Sequence, residues 1–320
     1  MLLQNHVRSL WLPLWAALLW LGSPAAAVTI DWTPVGGAGN ACDVQGSDCY
    51  GSVASAYQIS KYEITNAQYA EFLNAVADTD TYGLYNANMA STPGGITQLG
   101  VPSLFTYTVV LGREDMPVNF VSFYDTLRFA NWLQNGQPTG AQNASTTEDG
   151  AYTFSDATTV GSRNAGATIV LTSEDEWYKA AYYDVVSTTY FDYPAESNTQ
   201  TTCAAAGATP NTANCLNVVG DLTDVGSYTG SAGPNDTFDQ GGNVWEWTEG
   251  YVEEGGFRVQ RGGSYGFTPD NLAASIQRLG TPTDEVDFVG FRVAMVPEPD
   301  TALLLTIGLL TMAGWRRRRA

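Results

Sequence analysis

The stretch Asp239-Gln240-Gly241-Gly242-Asn243-Val244-Trp245-Glu246-Trp247 constrains the fold more than any other part of the chain. Two adjacent glycines permit a sharp turn with positive φ, and the alternation that follows puts both indoles on one face of a short extended segment. One outcome is a Trp-rich core strand entered through a glycine turn. The other adds chemistry, because Asp239 and Glu246, together with the backbone carbonyls freed by the turn, are hard oxygen ligands suited to calcium.

Other segments recur around it. Upstream lie Tyr62 to Leu73 (YEITNAQYAEFL), Met116-Pro117-Val118 running into Ser122-Phe123-Tyr124-Asp125, and Leu171 to Trp177 (LTSEDEW). Downstream lie Arg261-Gly262-Gly263-Ser264-Tyr265 and Gly290-Phe291-Arg292-Val293. In this order and spacing the set resembles the formylglycine-generating enzyme family, the sulfatase-modifying-factor domain, over roughly residues 50 to 295. The resemblance implies a compact α+β domain, C-type-lectin-like, with little regular secondary structure and one or two structural calcium ions. On its motif Asp239 and Glu246 fall on side-chain calcium ligands and Gly242 and Val244 on carbonyl ligands, while Asn243 braces the turn. For a second ion Asn217, Val218 and Asp221 are the candidates, in a loop shorter than the family's.

The two ends read as processing signals. His6 and Arg8 precede the apolar run Leu10 to Leu21 and then Ala25-Ala26-Ala27, which describes a secretory signal peptide over 1–27 with a cut before Val28. At the other end, over 296–320, Val296-Pro297-Glu298-Pro299 leads into the apolar stretch 301–315 and four arginines. Fifteen apolar residues fall short of the roughly 20 that cross a bilayer comfortably, and the arginines favour the cytoplasmic side. The arrangement resembles the PEP-CTERM sorting signal of Gram-negative bacteria, which implies a transient membrane anchor removed by an exosortase. A permanent single-pass transmembrane helix is the alternative. Either way the domain, residues 28–295, is exported through the inner membrane to the cell envelope, the cell surface or the medium.

Composition fits export. Without the two end segments, 9 Lys and Arg face 31 Asp and Glu, a net charge of about −22 that excludes nucleic-acid binding. Cys42 with Cys49 and Cys203 with Cys215 lie close in sequence within Gly-, Ala-, Asn- and Thr-rich loops. In an oxidising compartment disulfides within each pair are expected; metal binding is the alternative, and neither spacing is that of a zinc or redox motif.

Three short amphipathic helices and short antiparallel strands are predicted. Thr65 with Gln68, Ser122 with Asp125, and Ser173 with Glu176 each set a capping-box pattern ahead of apolar residues at helical spacing. Strands are read at 167–171, 257–260 and 290–295, and long surface loops at 82–100, 136–147 and 200–214.

The chemistry departs from the family. The resemblance implies oxidation of a substrate cysteine to formylglycine by copper(I) held on two thiolates that follow the Arg-Gly-Gly-Ser segment, and copper(I) needs such soft ligands. Here Tyr265 to Ser275 (YGFTPDNLAAS) contains no cysteine, so the copper site does not carry over. A second branch resembles non-haem iron oxygenases, whose iron requires imidazole. His6, inside the leader, is the chain's one histidine, which removes iron and histidine general bases alike. Glu174, Asp175 and Glu176 read as first-turn acids of a helix, Glu249, Glu253 and Glu254 as a solvated face, and Arg261 and Arg292 as anchors for buried carboxylates or carbonyls. No catalytic residue is assigned. The resulting expectation is a domain that has lost the oxidase site and binds exopolysaccharide or another surface protein; the alternative is an active oxidase acting on an exported sulfatase-like substrate.

Overall fold

The computed structural model describes residues 27–297. The expected signal peptide up to Ala26 and the apolar segment 301–315 lie outside the described residues. Among those described, no helix is long and apolar enough to cross a membrane.

All three helices begin where the caps predict. α1 (Asn66–Val76), α2 (Phe123–Gln134) and α3 (Glu174–Tyr182) each close a capping box, with Thr65, Ser122 and Ser173 accepting from the third residue on and being bonded back by its side chain. Such a cap contributes about 1 kcal/mol and fixes the first turn. α1 buries Tyr69, Phe72, Leu73 and Val76, and its Tyr69 and Phe72 rings meet Phe129 of α2 edge-on or stacked.

Two four-stranded sheets carry the rest of the frame. In the first, β1 (Trp32–Val35), β2 (Tyr57–Ser60) and β3 (Ile169–Leu171) combine with β8 (Val293–Met295) in the order β1-β2-β8-β3, all antiparallel. In the second, β4 (Trp245–Val252), β5 (Phe257–Arg261), β6 (Arg278–Gly280) and β7 (Val289–Phe291) lie in the order β6-β5-β4-β7. Not every pair is antiparallel as expected: β7 runs parallel to Trp245–Trp247 of β4, because the chain crosses from β6 at one edge of the sheet to β7 at the other. The strand read at 290–295 is two strands. Arg292 breaks it, β7 pairing in one sheet and β8 in the other, so this residue sits where the sheets meet.

The expected loops hold more structure than their composition suggested. Residues 82–100 contain a 3-10 turn (Ala87–Ala90) and Ile96–Leu99, which pairs with Thr106–Val109; Thr202–Cys203 and Thr212–Ala213 form a short parallel ladder. Two disulfides, Cys42–Cys49 and Cys203–Cys215, staple the outer loops. One aromatic-rich core, which includes Phe72, Phe129, Trp132, Trp245, Trp247 and Phe291, joins α1 and α2 to the second sheet.

Candidate functional site

Gly242 turns the chain at φ 92°, with the Asn214 carbonyl so close that any Cβ would stand 2.4 Å from it, and Asn243 follows at φ 56°. Asn243 braces the turn: its side-chain amide donates to Glu63 Oε2 at 2.9 Å, and Val244 N–H donates to Glu63 Oε1 at 3.2 Å. β4 then carries Trp245 against Phe267 and Trp247 against Phe123, both indoles buried. Glu246 points to the other side.

That other side is not solvent. Glu246 and Arg292 are both 0% exposed, with Arg292 Nε 2.6 Å from Oε2 and Nη2 2.8 Å from Oε1, while Trp177 Nε1 donates to Oε2 at 2.7 Å. The remaining guanidinium donors reach the carbonyls of Ser60, Lys61 and Phe238. Asp239 accepts from Gly226 N–H at 2.6 Å, and burial pushes its carboxyl up to about 6. Burial likewise holds Glu63 well above the usual carboxylate range.

These residues do not fit a calcium ion as they stand. Calcium needs six to eight oxygens free to turn toward it. Both oxygens of Glu246, an expected side-chain ligand beside Asp239, Gly242 and Val244, are taken by a guanidinium and an indole, so a buried ion pair stands where the set needs a free carboxylate. The second set fares the same way. Arg113 clamps Asp221 through both oxygens at 2.8 and 2.9 Å and holds its carboxyl below the usual range against the opposing effect of burial, while Asn217 and Val218 are exposed. Among the described residues no group of three or more His, Cys, Asp or Glu is arranged to hold a metal.

The segment that would carry the copper thiolates is packed by side chains. Phe267 stands edge-on to Trp245 and Phe288, Tyr265 donates to Asp287 Oδ2 at 3.0 Å, and Leu272 is fully buried beside Gly263, Ala213 and Cys215. All four cysteines are consumed in the two disulfides, leaving no thiol. Arg261, fully buried, holds Glu174 and the carbonyls of Ala274 and Ile276, and so pins this loop to α3.

An open cleft of about 500 Å³ lies elsewhere, where the outer half of β4 meets the start of α2 and the loop 160–163. The register of β4 with β5 slips between Trp247 and Tyr251, an irregularity of the kind that re-aims side chains. Glu249, read from sequence as part of a solvated face, instead turns inward: Oε1 accepts from Tyr152 and, at 2.8 Å, from Arg163 Nε. Arg163 also grips both oxygens of Glu176, at 2.8 and 2.7 Å, tying the cleft to the α3 cap. Burial raises the Glu249 carboxyl, opposed by the Arg163 charge. Arg258 stands over two rings, its Cζ 4.2 Å from the Phe123 centroid and 4.8 Å from that of Tyr251. Sequence reading missed this cleft, since its residues come from six separated stretches and form no motif; Arg258 next to Phe257 was the one local signal.

The short capped helices, the two small sheets and the Trp-rich turn define an α+β fold of formylglycine-generating-enzyme type. The sequence agrees: residues 50–296 match the family model described as the sulfatase-modifying factor enzyme 1-like domain, and the chain belongs to that family. Residues 296–319 match the PEP-CTERM protein-sorting motif, which implies exosortase processing and export to the envelope or surface of a Gram-negative bacterium. Among solved structures the chain is similar to Treponema denticola variable protein 1 at 18% identity and TM-score 0.54, covering 86% of this chain and 100% of that one. It is also similar to CarF, at 20% identity and TM-score 0.52, covering 84% and 99%. At these identities the likeness establishes the fold alone. No curated protein matches the sequence.

Proposed function

We propose that this exported domain binds at the cell envelope and does not oxidise thiols. The observation that carries the reading is the packed segment Tyr265 to Ser275: Phe267 and Leu272 fill space beside the Arg261-Gly262-Gly263-Ser264 turn, and both cysteine pairs, including Cys203–Cys215 beside Leu272, are locked in disulfides. Copper(I) needs two thiolates that this chain does not offer. A fold of this type without its metal chemistry remains a rigid scaffold with an open cleft, which suits a matrix or ligand-binding role, with exopolysaccharide or another surface protein as partner. The test incubates the purified protein, supplied with copper, with a peptide containing Cys-x-Pro-x-Arg and looks for the aldehyde by mass spectrometry. Unchanged peptide is the expected result. Formylglycine in the product would overturn the reading in favour of an active oxidase.

A further inference from the structure

The cleft beside Glu249 holds polar groups that the protein's own bonding leaves unspent. Arg258 makes no ion pair among the described residues: Nη1 donates to the Glu249 carbonyl at 2.9 Å, and Nε and Nη2, which together form one edge of the guanidinium, donate to no acceptor among them. Glu249 uses Oε1 twice and Oε2 not at all. Neither the spare guanidinium edge nor the spare oxygen is among the buried unpartnered atoms, so both are accessible, in residues that line the cleft. A bidentate donor thus stands beside an unspent acceptor.

The surroundings narrow the ligand. The cleft is lined by Arg163, Arg258 and Glu249, and Glu176, outside the lining but paired to Arg163, brings the local charge to balance. At the hairpin beyond it Glu253 and Glu254 are exposed, and the domain as a whole is strongly acidic, so an anion meets a repulsive approach. Tyr251 is 56% exposed and backed on one face by Arg258, which holds the ring as a platform. The lining backbone is already committed: Glu249 N–H donates to Thr172, its carbonyl accepts from Arg258, and Tyr251 pairs with Arg258 in β5. With the backbone of Glu249 and Tyr251 spent in this way, these two residues offer a ligand their side chains.

Resting on the reading of a binding domain, we propose that this cleft is a site for a neutral saccharide. Vicinal hydroxyls of one pyranose accept from the Arg258 fork and donate to the free oxygen of Glu249, while the C–H face of a neighbouring ring of the same oligosaccharide stacks on the free face of Tyr251. The cleft volume falls within the range of small-ligand sites.

The experiment titrates the purified protein with a panel of neutral tetrasaccharides built from glucose, galactose, mannose or N-acetylglucosamine, and with their uronate counterparts, by calorimetry. At least one neutral sugar binds, and its uronate counterpart binds at least about tenfold more weakly. Tyr251→Ala, at an exposed position, weakens binding about tenfold with the circular dichroism spectrum unchanged; Arg258→Lys, which keeps the charge and loses the fork, does the same. The proposal is overturned if the folded protein binds no neutral sugar on the panel, if uronates are preferred, or if Tyr251→Ala binds like the parent. In the last case the protein still binds sugar and only the cleft assignment falls, whereas aldehyde formation in the peptide assay removes the underlying reading whatever the sugars do.

Discussion

Replacing Arg292 with methionine removes the cation set among three buried carboxylates. Its guanidinium engages both oxygens of Glu246 and caps the carbonyls of Ser60, Lys61 and Phe238, with Asp239 and Glu63 close enough to feel its charge. Breaking a buried pair by deleting one partner costs about 3–5 kcal/mol, and leaving carbonyls without donors adds about 1 kcal/mol or more each. The sum, about 6 kcal/mol or more, rivals the whole stability of an ordinary domain. Urea unfolding followed by tryptophan fluorescence should therefore show Arg292→Met barely folded or unfolded at rest. The double variant Arg292→Met with Glu246→Gln, which withdraws both charges, should recover about 2–3 kcal/mol relative to the single one. Millimolar calcium should leave the parent midpoint unchanged, because no carboxylate oxygen of Glu246 is free for it. A loss below about 1 kcal/mol in Arg292→Met would refute this reasoning. So would a parent protein whose midpoint collapses on chelation and returns with calcium.

Two further outcomes follow from the packing and the charges. Gly290 lies where β7 passes Val118, and a Cβ there would stand 2.5 Å from the Val118 carbonyl and 2.9 Å from Val244, so Gly290→Ala should lower stability by about 2 kcal/mol in the same urea assay; an unchanged midpoint would contradict that close approach. Asp125 is held by burial at about 7, so the folded state keeps its proton between about pH 4 and 7 while the unfolded chain loses it, and stability falls as pH rises through that window. Asp125→Asn should flatten that fall by up to about 4 kcal/mol; coincident pH profiles for the two proteins would show that the group does not titrate this way.

The helices were legible because a cap is a local event. Ser or Thr followed three residues on by Gln, Asp or Glu satisfies the first-turn amides using atoms within one turn of chain, and all three patterns gave helices at the expected residue. Arg261 and Arg292 were legible as anchors, since a rare guanidinium in an acidic chain has carboxylates to find. Their partners were not. Glu246 read as a calcium ligand because a sequence shows the oxygen but not what occupies it, and the guanidinium that does lies 46 residues away. Glu249 read as solvated because its neighbours Glu253 and Glu254 are, whereas the slipped register of β4 with β5 and the distant Arg163 turn it inward. The cleft depends on both of those effects and on Phe123 and Tyr152, so no single stretch of sequence could announce it.

The division of the last strand bears on how the domain is held. Past Arg292 the chain runs as β8 between β2 and β3, and the sorting motif begins at residue 296, one residue beyond that strand. A pull on the C-terminal segment is therefore delivered to an interior strand, bonded on both sides, and behind it to a guanidinium gripping the second sheet. Any tether attached there would have to strip two ladders and an ion pair before the domain came loose, so load entering at this end falls on an interior strand and not on a sheet edge.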